Sequence, residues 1–204
     1  MGSAGILSDR RGRHDAFFKK AQRENFAARA VYKLQEIDER YSLFQPGQRV
    51  LDLGCRPGSW LQYAGQKVSS KGALVGIDRQ PLAVTIKNSR IVVGDVFAIT
   101  GAELRGELSG FDVVLSDMAP DTTGIRHVDQ ARSEGLFERA VELAEELLVP
   151  GGLFLGKLFQ GPDFQRLRAR LLAGFSEVRV VKPDSSRKES IELYLLALRR
   201  KASL

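Results

Sequence analysis

Three aspartates stand where short apolar runs of this sequence end, and such positions are suited to ligand binding. They are Asp78 in GIDRQ, Asp95 in GDVF and Asp117 in SDMAP. Upstream of them, Gly54 and Gly58 in VLDLGCRPGSW flank a turn between an apolar run and a helix-like segment. Each residue taken alone is better explained as a turn residue or a helix cap. Together, with an acid 24 residues after Gly54, they predict a bound adenosine-type cofactor.

The glycine spacing distinguishes between two kinds of adenosine cofactor. A dinucleotide site favours Gly-x-Gly-x-x-Gly, which lets a pyrophosphate approach a helix N-terminus. Here the spacing is Gly-x-x-x-Gly, with Pro57 inside it and Trp60 after it. S-adenosylmethionine has no phosphates, and its sulfonium and ammonium groups are attracted by carboxylates. We therefore favour S-adenosylmethionine and keep a nicotinamide-dependent oxidoreductase as the alternative.

A lysine inside an apolar run is the next chemical signal. Lys157 lies in GGLFLGKLFQG, and burying an ammonium group is costly unless something compensates it. Strand alternation places Leu155, Lys157 and Phe159 on one face, with Asp117 near the end of the preceding strand. Burial favours the neutral amine, which could take a proton from a substrate hydroxyl, whereas carboxylates favour the ammonium form. The alternative is a lysine that reaches solvent from an edge strand.

The elements that must position these residues form a regular alternation. Apolar runs predict strands at 49–53, 73–77, 91–93, 111–116 and 153–159, with helical or loop segments between most of them. Two helices are predicted within 15–44, and the clearest later helix is 130–148. Residues 177–181 and 191–198 predict an antiparallel hairpin. The fold class is therefore α/β, a mostly parallel sheet with helices on both faces and a C-terminal antiparallel hairpin.

Length and composition limit the remaining possibilities. The chain of 204 residues is 43% apolar and 27% charged, which fits one soluble domain over 1–204, with 1–14 as a flexible basic segment. A single cysteine, Cys55, and no apolar stretch of membrane-spanning length predict a cytoplasmic protein. His14, His127 and Cys55 do not have metal-ligand spacing, so no metal is expected. We expect a monomer.

Basic charge is concentrated at the two ends of the chain. Residues 1–33 hold eight Lys and Arg against three Asp and Glu, and residues 179–204 hold seven against three. Since the net charge is +6, the middle of the chain is acidic overall. This distribution suggests a surface for a polyanion such as nucleic acid. The alternative is that the charged ends only keep the domain soluble.

Several longer motifs resemble a known family. ARAVYKLQEID, DLGCRPGSW, SDMAPD, GKLFQG and KPDSSRKESIELYLLALRRK are similar to the FtsJ family of ribosomal RNA ribose 2′-O-methyltransferases, and the similarity covers about His14 to Lys201. The resemblance implies a Rossmann-like methyltransferase fold and a Lys-Asp-Lys-Glu tetrad formed by Lys33, Asp117, Lys157 and Glu192. It also implies that S-adenosylmethionine is bound by Gly58, Trp60, Asp78, Asp95 and Asp117.

The resemblance points to RNA as the partner, most simply a uridine of 23S ribosomal RNA within the large ribosomal subunit. Ser59 and Asp121 resemble residues of relatives that methylate anticodon-loop riboses, so transfer RNA is an alternative substrate. A catalytically silent RNA-binding or ribosome-assembly protein is a further alternative. The intact set of two lysines and two carboxylates argues against it, because a silent protein needs no buried paired charges.

Overall fold

The computed structural model of the chain describes residues 16–186 and 190–202. The predicted flexible segment 1–14 lies outside these residues, as do positions 187–189 of the basic loop. The described strands are β1 (Arg49–Leu53), β2 (Ala73–Asp78), β3 (Ser89–Val93), β4 (Phe111–Ser116), β5 (Leu148–Phe159), β6 (Phe175–Val181) and β7 (Glu192–Arg200). The described helices are α1 (residues 16–23), α2 (Val31–Tyr41), α3 (Ser59–Val68), α4 (Gly101–Arg105), α5 (Arg126–Leu147) and α6 (Phe164–Gly174).

All seven strands join in one sheet with the order β3-β2-β1-β4-β5-β7-β6. The first five strands pair in parallel, whereas β7 pairs antiparallel with both β5 and β6. The predicted α/β class and the antiparallel end of the sheet are therefore confirmed. Strand β7 is inserted between β5 and β6 and is therefore an internal strand of the sheet. Its pairing with β5 places Glu192 next to Phe159.

The two faces of the sheet carry separate apolar cores. One core, which includes Leu51 and Leu53 of β1, packs under α5. The other, which includes Val50 and Leu155, packs under α2 and α3. Alternation along each strand distributes side chains between these layers. Because β1 and β4 are covered on both faces, the residues at their carboxyl ends are held by a rigid scaffold.

Several element boundaries differ from the prediction. Strand β5 begins at Leu148 rather than 153, and the preceding helix begins at Arg126 rather than 130. Pro150-Gly151-Gly152 is typical of a turn, and β5 is irregular at this point: Gly151 has a φ of +83°, and the register with β4 shifts between the pairs Phe111–Leu148 and Val113–Leu153. Helix α6 was not singled out from the sequence, because its apolar stripe is narrow and only Leu167 and Leu171 of it are buried.

Candidate functional site

The turn between β1 and α3 requires glycine at two positions. Gly54 and Gly58 have φ angles of +77° and +115°, which side-chain-bearing residues rarely adopt. A Cβ on Gly54 would lie 2.6 Å from Met118 Cγ, and one on Gly58 would lie 2.8 Å from Val84 Cγ2. The turn is thus packed between the segment that follows β4 and the segment that follows β2. Both glycines lie where the sequence predicted them, at the carboxyl end of β1.

The predicted acids lie along this same edge of the sheet, and we call the region the cofactor crevice. It comprises the 54–58 turn and the carboxylates of Asp78, Asp95 and Asp117. Asp78 ends β2 and accepts hydrogen bonds from the backbone N–H groups of Arg56 and Gln80, both at 3.1 Å. Asp95 is exposed and accepts from the Phe97 N–H at 2.9 Å. Hydrogen bonds from the backbone therefore orient both carboxylates, and none of these three bonds comes from a positively charged side chain.

Trp60, predicted from the family resemblance to contact the cofactor, is buried beneath the crevice. Its side chain is 3% exposed, and its Nε1–H donates to the Ala30 carbonyl at 2.9 Å. Its ring centroid lies 5.9 Å from that of Tyr194. The indole therefore connects α3 to the residue that precedes α2. Because this side chain is buried, a ligand in the crevice could contact Trp60 only through its backbone, in the first turn of α3.

A fourth acid of the crevice was missed by sequence reasoning. Asp52, in the interior of β1, is 1% exposed, and neither of its carboxylate oxygens has a hydrogen-bond partner. Burial raises its pKa well above the usual range, and the carboxylates of Asp117 and Asp78 raise it further. The available signal was an aspartate in VLDLG, inside a strand that should be buried on both faces.

The four residues of the tetrad implied by the resemblance come together at the carboxyl ends of β4 and β5 and the start of β7. Lys157 Nζ lies 2.7 Å from the Asp117 carbonyl oxygen, 3.1 Å from Asp117 Oδ1 and 3.8 Å from Glu192 Oε1. Lys33, from α2, donates to Glu192 Oε2 at 3.1 Å. Lys157 is only 6% exposed on its side chain, so it is an internal lysine and not one that reaches solvent from an edge.

Opposite charges set the ionisation of Glu192. Burial alone would raise its pKa, but the ammonium groups of Lys33 and Lys157 and hydrogen bonds from Lys33 and Ser190 lower it below the usual value. The Ser190 hydroxyl donates to Glu192 Oε2 at 3.0 Å. Glu192 is therefore an anion near neutral pH and connects the two lysines.

Tyr194 completes the cluster and was not predicted. It is fully buried in β7, and its hydroxyl donates to Asp117 Oδ1 at 2.7 Å. Burial and the nearby carboxylate of Asp117 raise the pKa of its hydroxyl well above the usual value, so it stays a donor. Lys33 Nζ lies 5.8 Å from the centre of its ring. The tyrosine fixes the carboxylate that the tetrad and the cofactor crevice share.

A cleft opens beside the tetrad, and we call it the substrate cleft. Its volume is about 570 Å³, and Lys33 and Glu192 form part of its wall. Apart from one further acid, Asp129, the rest of the lining is basic, hydroxyl-bearing or apolar: Arg29, Thr122, Arg126, Phe159, Ser185, Ser190 and Ile191. Guanidinium and hydroxyl groups of this kind are suited to phosphate contacts. Asp117 and Lys157 do not line it, and Lys157 lies between Glu192 in the wall of the cleft and Asp117 in the cofactor crevice.

One wall of the cleft is fixed by a buried carboxylate. Asp129, in the first turn of α5, accepts from the Thr123 N–H at 2.7 Å, the Thr123 hydroxyl at 2.9 Å and the Gly124 N–H at 3.1 Å. These hydrogen bonds lower its pKa below the usual value. They hold the segment after Asp117 against α5, so the shape of this wall does not depend on a bound ligand.

The crevice fits S-adenosylmethionine better than a dinucleotide. A pyrophosphate is dianionic, whereas the acids at positions 78, 95 and 117 make this edge of the sheet negative. The orphaned oxygens of Asp52 likewise call for a donor or a cation. A cofactor with a sulfonium and an ammonium group meets both conditions. Asp78 is placed at the end of β2, where an acid accepts ribose hydroxyls in nucleotide-binding sheets.

Within residues 16–186 and 190–202, no cluster of three or more His, Cys, Asp or Glu is arranged to hold a metal ion. In the same part of the chain, no helix is long and apolar enough to cross a membrane.

Comparison with known proteins agrees with this geometry. A relative from Syntrophobacter fumaroxidans called ribosomal RNA large subunit methyltransferase E is 49% identical, with 93% of this chain and 97% of the relative covered. One of the same name from Bdellovibrio bacteriovorus is 46% identical, with 92% and 97% covered. A solved ribosomal RNA methyltransferase from Plasmodium falciparum is 26% identical, has a TM-score of 0.77, and is matched over 87% of this chain and 100% of its own.

Fibrillarin from Aeropyrum pernix, solved with natively bound S-adenosylmethionine, shares the fold. Its TM-score is 0.61 at 16% identity, with 83% of this chain and 74% of fibrillarin covered. The family described as FtsJ-like methyltransferase matches residues 26–200, which include all seven described strands and the helices from α2 onward. The chain therefore belongs to the FtsJ-like methyltransferase family.

Proposed function

We propose that this chain transfers a methyl group from S-adenosylmethionine to a ribose 2′-hydroxyl of large-subunit ribosomal RNA, a uridine of the 23S molecule. The observation that carries the proposal is the buried amine of Lys157, held at 3.1 Å from Asp117 between the cofactor crevice and the substrate cleft. The names of the relatives in Syntrophobacter and Bdellovibrio support the choice of RNA.

Methyl transfer to a hydroxyl needs a proton acceptor at the oxygen that attacks. When bound, the cofactor supplies a methyl group on a positively charged sulfur. The carbon–sulfur bond breaks with its electron pair left on sulfur, the carbon–oxygen bond forms, and the hydroxyl proton must leave. Asp117 and Glu192 fix the position of the Lys157 amine from two sides, and after this amine has released its own proton to solvent it accepts the hydroxyl proton.

The other tetrad residues orient and balance charge. Lys33 remains an ammonium paired with Glu192 and stabilises the negative charge that develops on the ribose oxygen. Asp117 positions the Lys157 amine through its carbonyl and carboxylate oxygens, and Tyr194 fixes that carboxylate. The cluster therefore needs no reorganisation at the moment of reaction.

The crevice residues bind the cofactor beside this amine. Gly54, Gly58 and the backbone of Trp60 form the turn beneath it, Asp78 accepts its ribose hydroxyls, and Asp95 lies at the neighbouring strand end. We further propose that the protein acts as a monomer in the cytoplasm, and the proposed chemistry requires no metal ion.

The substrate is tested by methyl transfer from labelled S-adenosylmethionine to three acceptors, all from cells that lack this protein. They are isolated large ribosomal subunits, protein-free 23S RNA and bulk transfer RNA. We expect the subunits to accept methyl groups best, because the relatives are named for the large ribosomal subunit and a preassembled surface can present one accessible ribose. Efficient methylation of transfer RNA with inert subunits would overturn the substrate and leave the chemistry standing.

A further inference from the structure

Asp52 is the buried acid that the proposed mechanism leaves unused. It lies in the middle strand of the crevice with 1% of its surface exposed. Its two oxygens are the only carboxylate oxygens, within the described chain, that are buried without a hydrogen-bond partner. A native protein rarely leaves such a group unsatisfied, so each case calls for an explanation.

The alternation of β1 shows where this carboxyl group points. Leu51 and Leu53 pack in the core under α5, so Asp52 faces the opposite layer together with Val50. Its register partners are Gly76 on β2 and Leu115 on β4. The carboxyl group thus lies on the face covered by α3, two residues before the glycine turn that begins at Gly54.

Within the part of the chain that the structure describes, no cation pairs with the Asp52 carboxyl group. The groups that act on its ionisation are the carboxylates of Asp117 after β4 and Asp78 on β2, and both oppose it. Burial raises the pKa of Cys55, in the turn above, so it stays a neutral thiol. Lys67, in the last turn of α3, is the one charged residue of that helix, and it pairs with Asp38 of α2.

The cofactor changes this balance because of its own charge. S-adenosylmethionine carries a sulfonium, an ammonium and a carboxylate, so its net charge is positive. The product, S-adenosylhomocysteine, has a neutral sulfur and no net charge. A buried anion without a counterion has a large desolvation penalty, and a bound cation nearby offsets much of that penalty.

We propose that Asp52 stays protonated while the crevice is empty and gives up its proton to solvent when the cationic cofactor binds, so that the site favours the cofactor over its neutral product. Once the methyl group has left sulfur, the positive charge is gone. Asp52 then takes a proton back from solvent, and the product is no longer held by an ionic interaction. Asp52 thus acts as a specificity-determining residue that promotes product release.

This inference rests on the cofactor part of the proposed function and on nothing about RNA, so the two can fail separately. The test is calorimetric binding of S-adenosylmethionine and of S-adenosylhomocysteine to the full chain in two buffers of different ionisation enthalpy. We expect proton release with the cofactor and none with the product. We also expect the preference for the cofactor to increase with pH from about pH 5 to 8, a range in which folded proteins are usually most stable.

The substitution Asp52→Asn keeps the size of the side chain but cannot ionise. We expect it to reduce the affinity ratio between cofactor and product by about tenfold, the equivalent of one pKa unit, and to abolish its pH dependence. The control is Asp38→Asn, which alters another buried aspartate outside the crevice and should leave the ratio unchanged.

Equal effects of Asp52→Asn on both affinities would overturn the proposal, as would equal proton release with both ligands in the unaltered protein. The second measurement needs no variant, so the proposal stays testable if Asp52→Asn does not fold. Absence of any S-adenosylmethionine binding by the unaltered protein would instead count against the proposed function.

Discussion

The tetrad and the cofactor crevice share Asp117 but balance their charges in opposite ways. In the tetrad, two lysines and two carboxylates pair at distances between 3.1 and 3.8 Å, so the cluster is electrically complete without a ligand. In the crevice, Asp78 and Asp95 accept backbone hydrogen bonds only, and Asp52 accepts none. The crevice is therefore complete only when a positively charged ligand is bound.

A second buried aspartate, Asp38, has hydrogen-bond partners for its carboxylate, in contrast to Asp52. Asp38 is 6% exposed and accepts from the backbone N–H groups of Leu43 and Phe44 at 2.8 and 3.3 Å. It also accepts from the Tyr63 hydroxyl at 2.7 Å and pairs with Lys67 at 3.2 Å. An acid that serves the fold is satisfied by the chain itself, whereas an acid that serves a ligand is left for that ligand.

The largest effect should come from removing the amine at the centre of the tetrad. We expect Lys157→Ala to lower the rate of methyl transfer by about 10²- to 10⁴-fold, the usual contribution of a positioned proton acceptor. The affinity for S-adenosylmethionine should change little, because the crevice does not depend on this lysine for its charge. Single-turnover transfer and calorimetric binding measure the two quantities separately.

The matched control is Lys71→Ala, at an exposed position in the turn before β2. It should leave both rate and affinity unchanged. Near-normal turnover of Lys157→Ala would show that the proton acceptor has been assigned wrongly.

The next effect tests the contrast between the two buried aspartates in the empty protein. Asp38→Asn should lower the free energy of unfolding by about 1–3 kcal/mol, because an amide cannot satisfy all of the donors around it. Asp52→Asn should cost less or even stabilise, since it removes an acid that has no partner. Urea denaturation without ligand measures both, and the contrast is lost if the two substitutions cost the same.

Much of this contrast could be predicted from the sequence, because strand ends are easy to locate. Apolar runs placed Asp78 and Asp117 at the carboxyl ends of two strands, β2 and β4, which lie on either side of β1, and parallel pairing brings such ends to one edge. Lys157 could be recognised because a charge within an apolar run is conspicuous. The same reasoning applies to Asp52 in β1, but Gly54 and Gly58 nearby are the stronger signal, and they point to the turn rather than to the strand.

Other features depend on contacts between distant segments and could not be read from local patterns. Tyr194 lies in an apolar stretch and looks like an ordinary core residue, and only the folded sheet places its hydroxyl 2.7 Å from Asp117. Likewise, the position of β7 between β5 and β6 follows from pairing over the whole chain. The residues of the tetrad were supplied by family resemblance, and their roles remain predictions.

A third prediction concerns the crevice acid that is oriented by the backbone. Asp78→Ala should weaken S-adenosylmethionine binding by about tenfold, because one or two hydrogen bonds to ribose hydroxyls are lost. It should weaken S-adenosylhomocysteine binding equally, since the two ligands share the ribose. Calorimetry with both ligands thus distinguishes the proposed role of Asp78, which binds the ribose, from that of Asp52, which responds to the charge of the ligand.

The pH dependence of stability should distinguish the tetrad from the crevice. The pKa of Glu192 is lowered in the folded state by its two lysines, so its contribution to stability is present at neutral pH. That contribution is lost as the pH falls below about 4.5 and through the lowered value. Asp52 has a raised pKa, so its ionisation opposes folding as the pH rises, and the sign is reversed.

Urea denaturation between about pH 3 and 7 measures this difference. Glu192→Gln should flatten the acid side of the stability profile by a small amount, because Glu192 is partly exposed and solvent screens its charges. Asp52→Asn should instead remove a loss of stability on the neutral side. A flattening of the acid side by Asp52→Asn would contradict the opposite signs assigned to the two groups.

The smallest effect concerns the far side of the tetrad, where the substrate cleft is basic. Arg126, exposed at the start of α5, lines this cleft with Lys33. If its guanidinium contacts one RNA phosphate, Arg126→Gln should reduce the slope of log affinity against log salt by about 0.7 to 0.9. The affinity for S-adenosylmethionine should not change, because the cofactor site is built from acids and this arginine takes no part in it. The comparison is sharpest with Arg105→Gln as the control, since that residue lies in the last turn of α4 and does not line the cleft. An equal change of slope in both variants would mean that Arg126 contributes only to the general positive charge of the protein, and that the cleft does not define the path of the RNA.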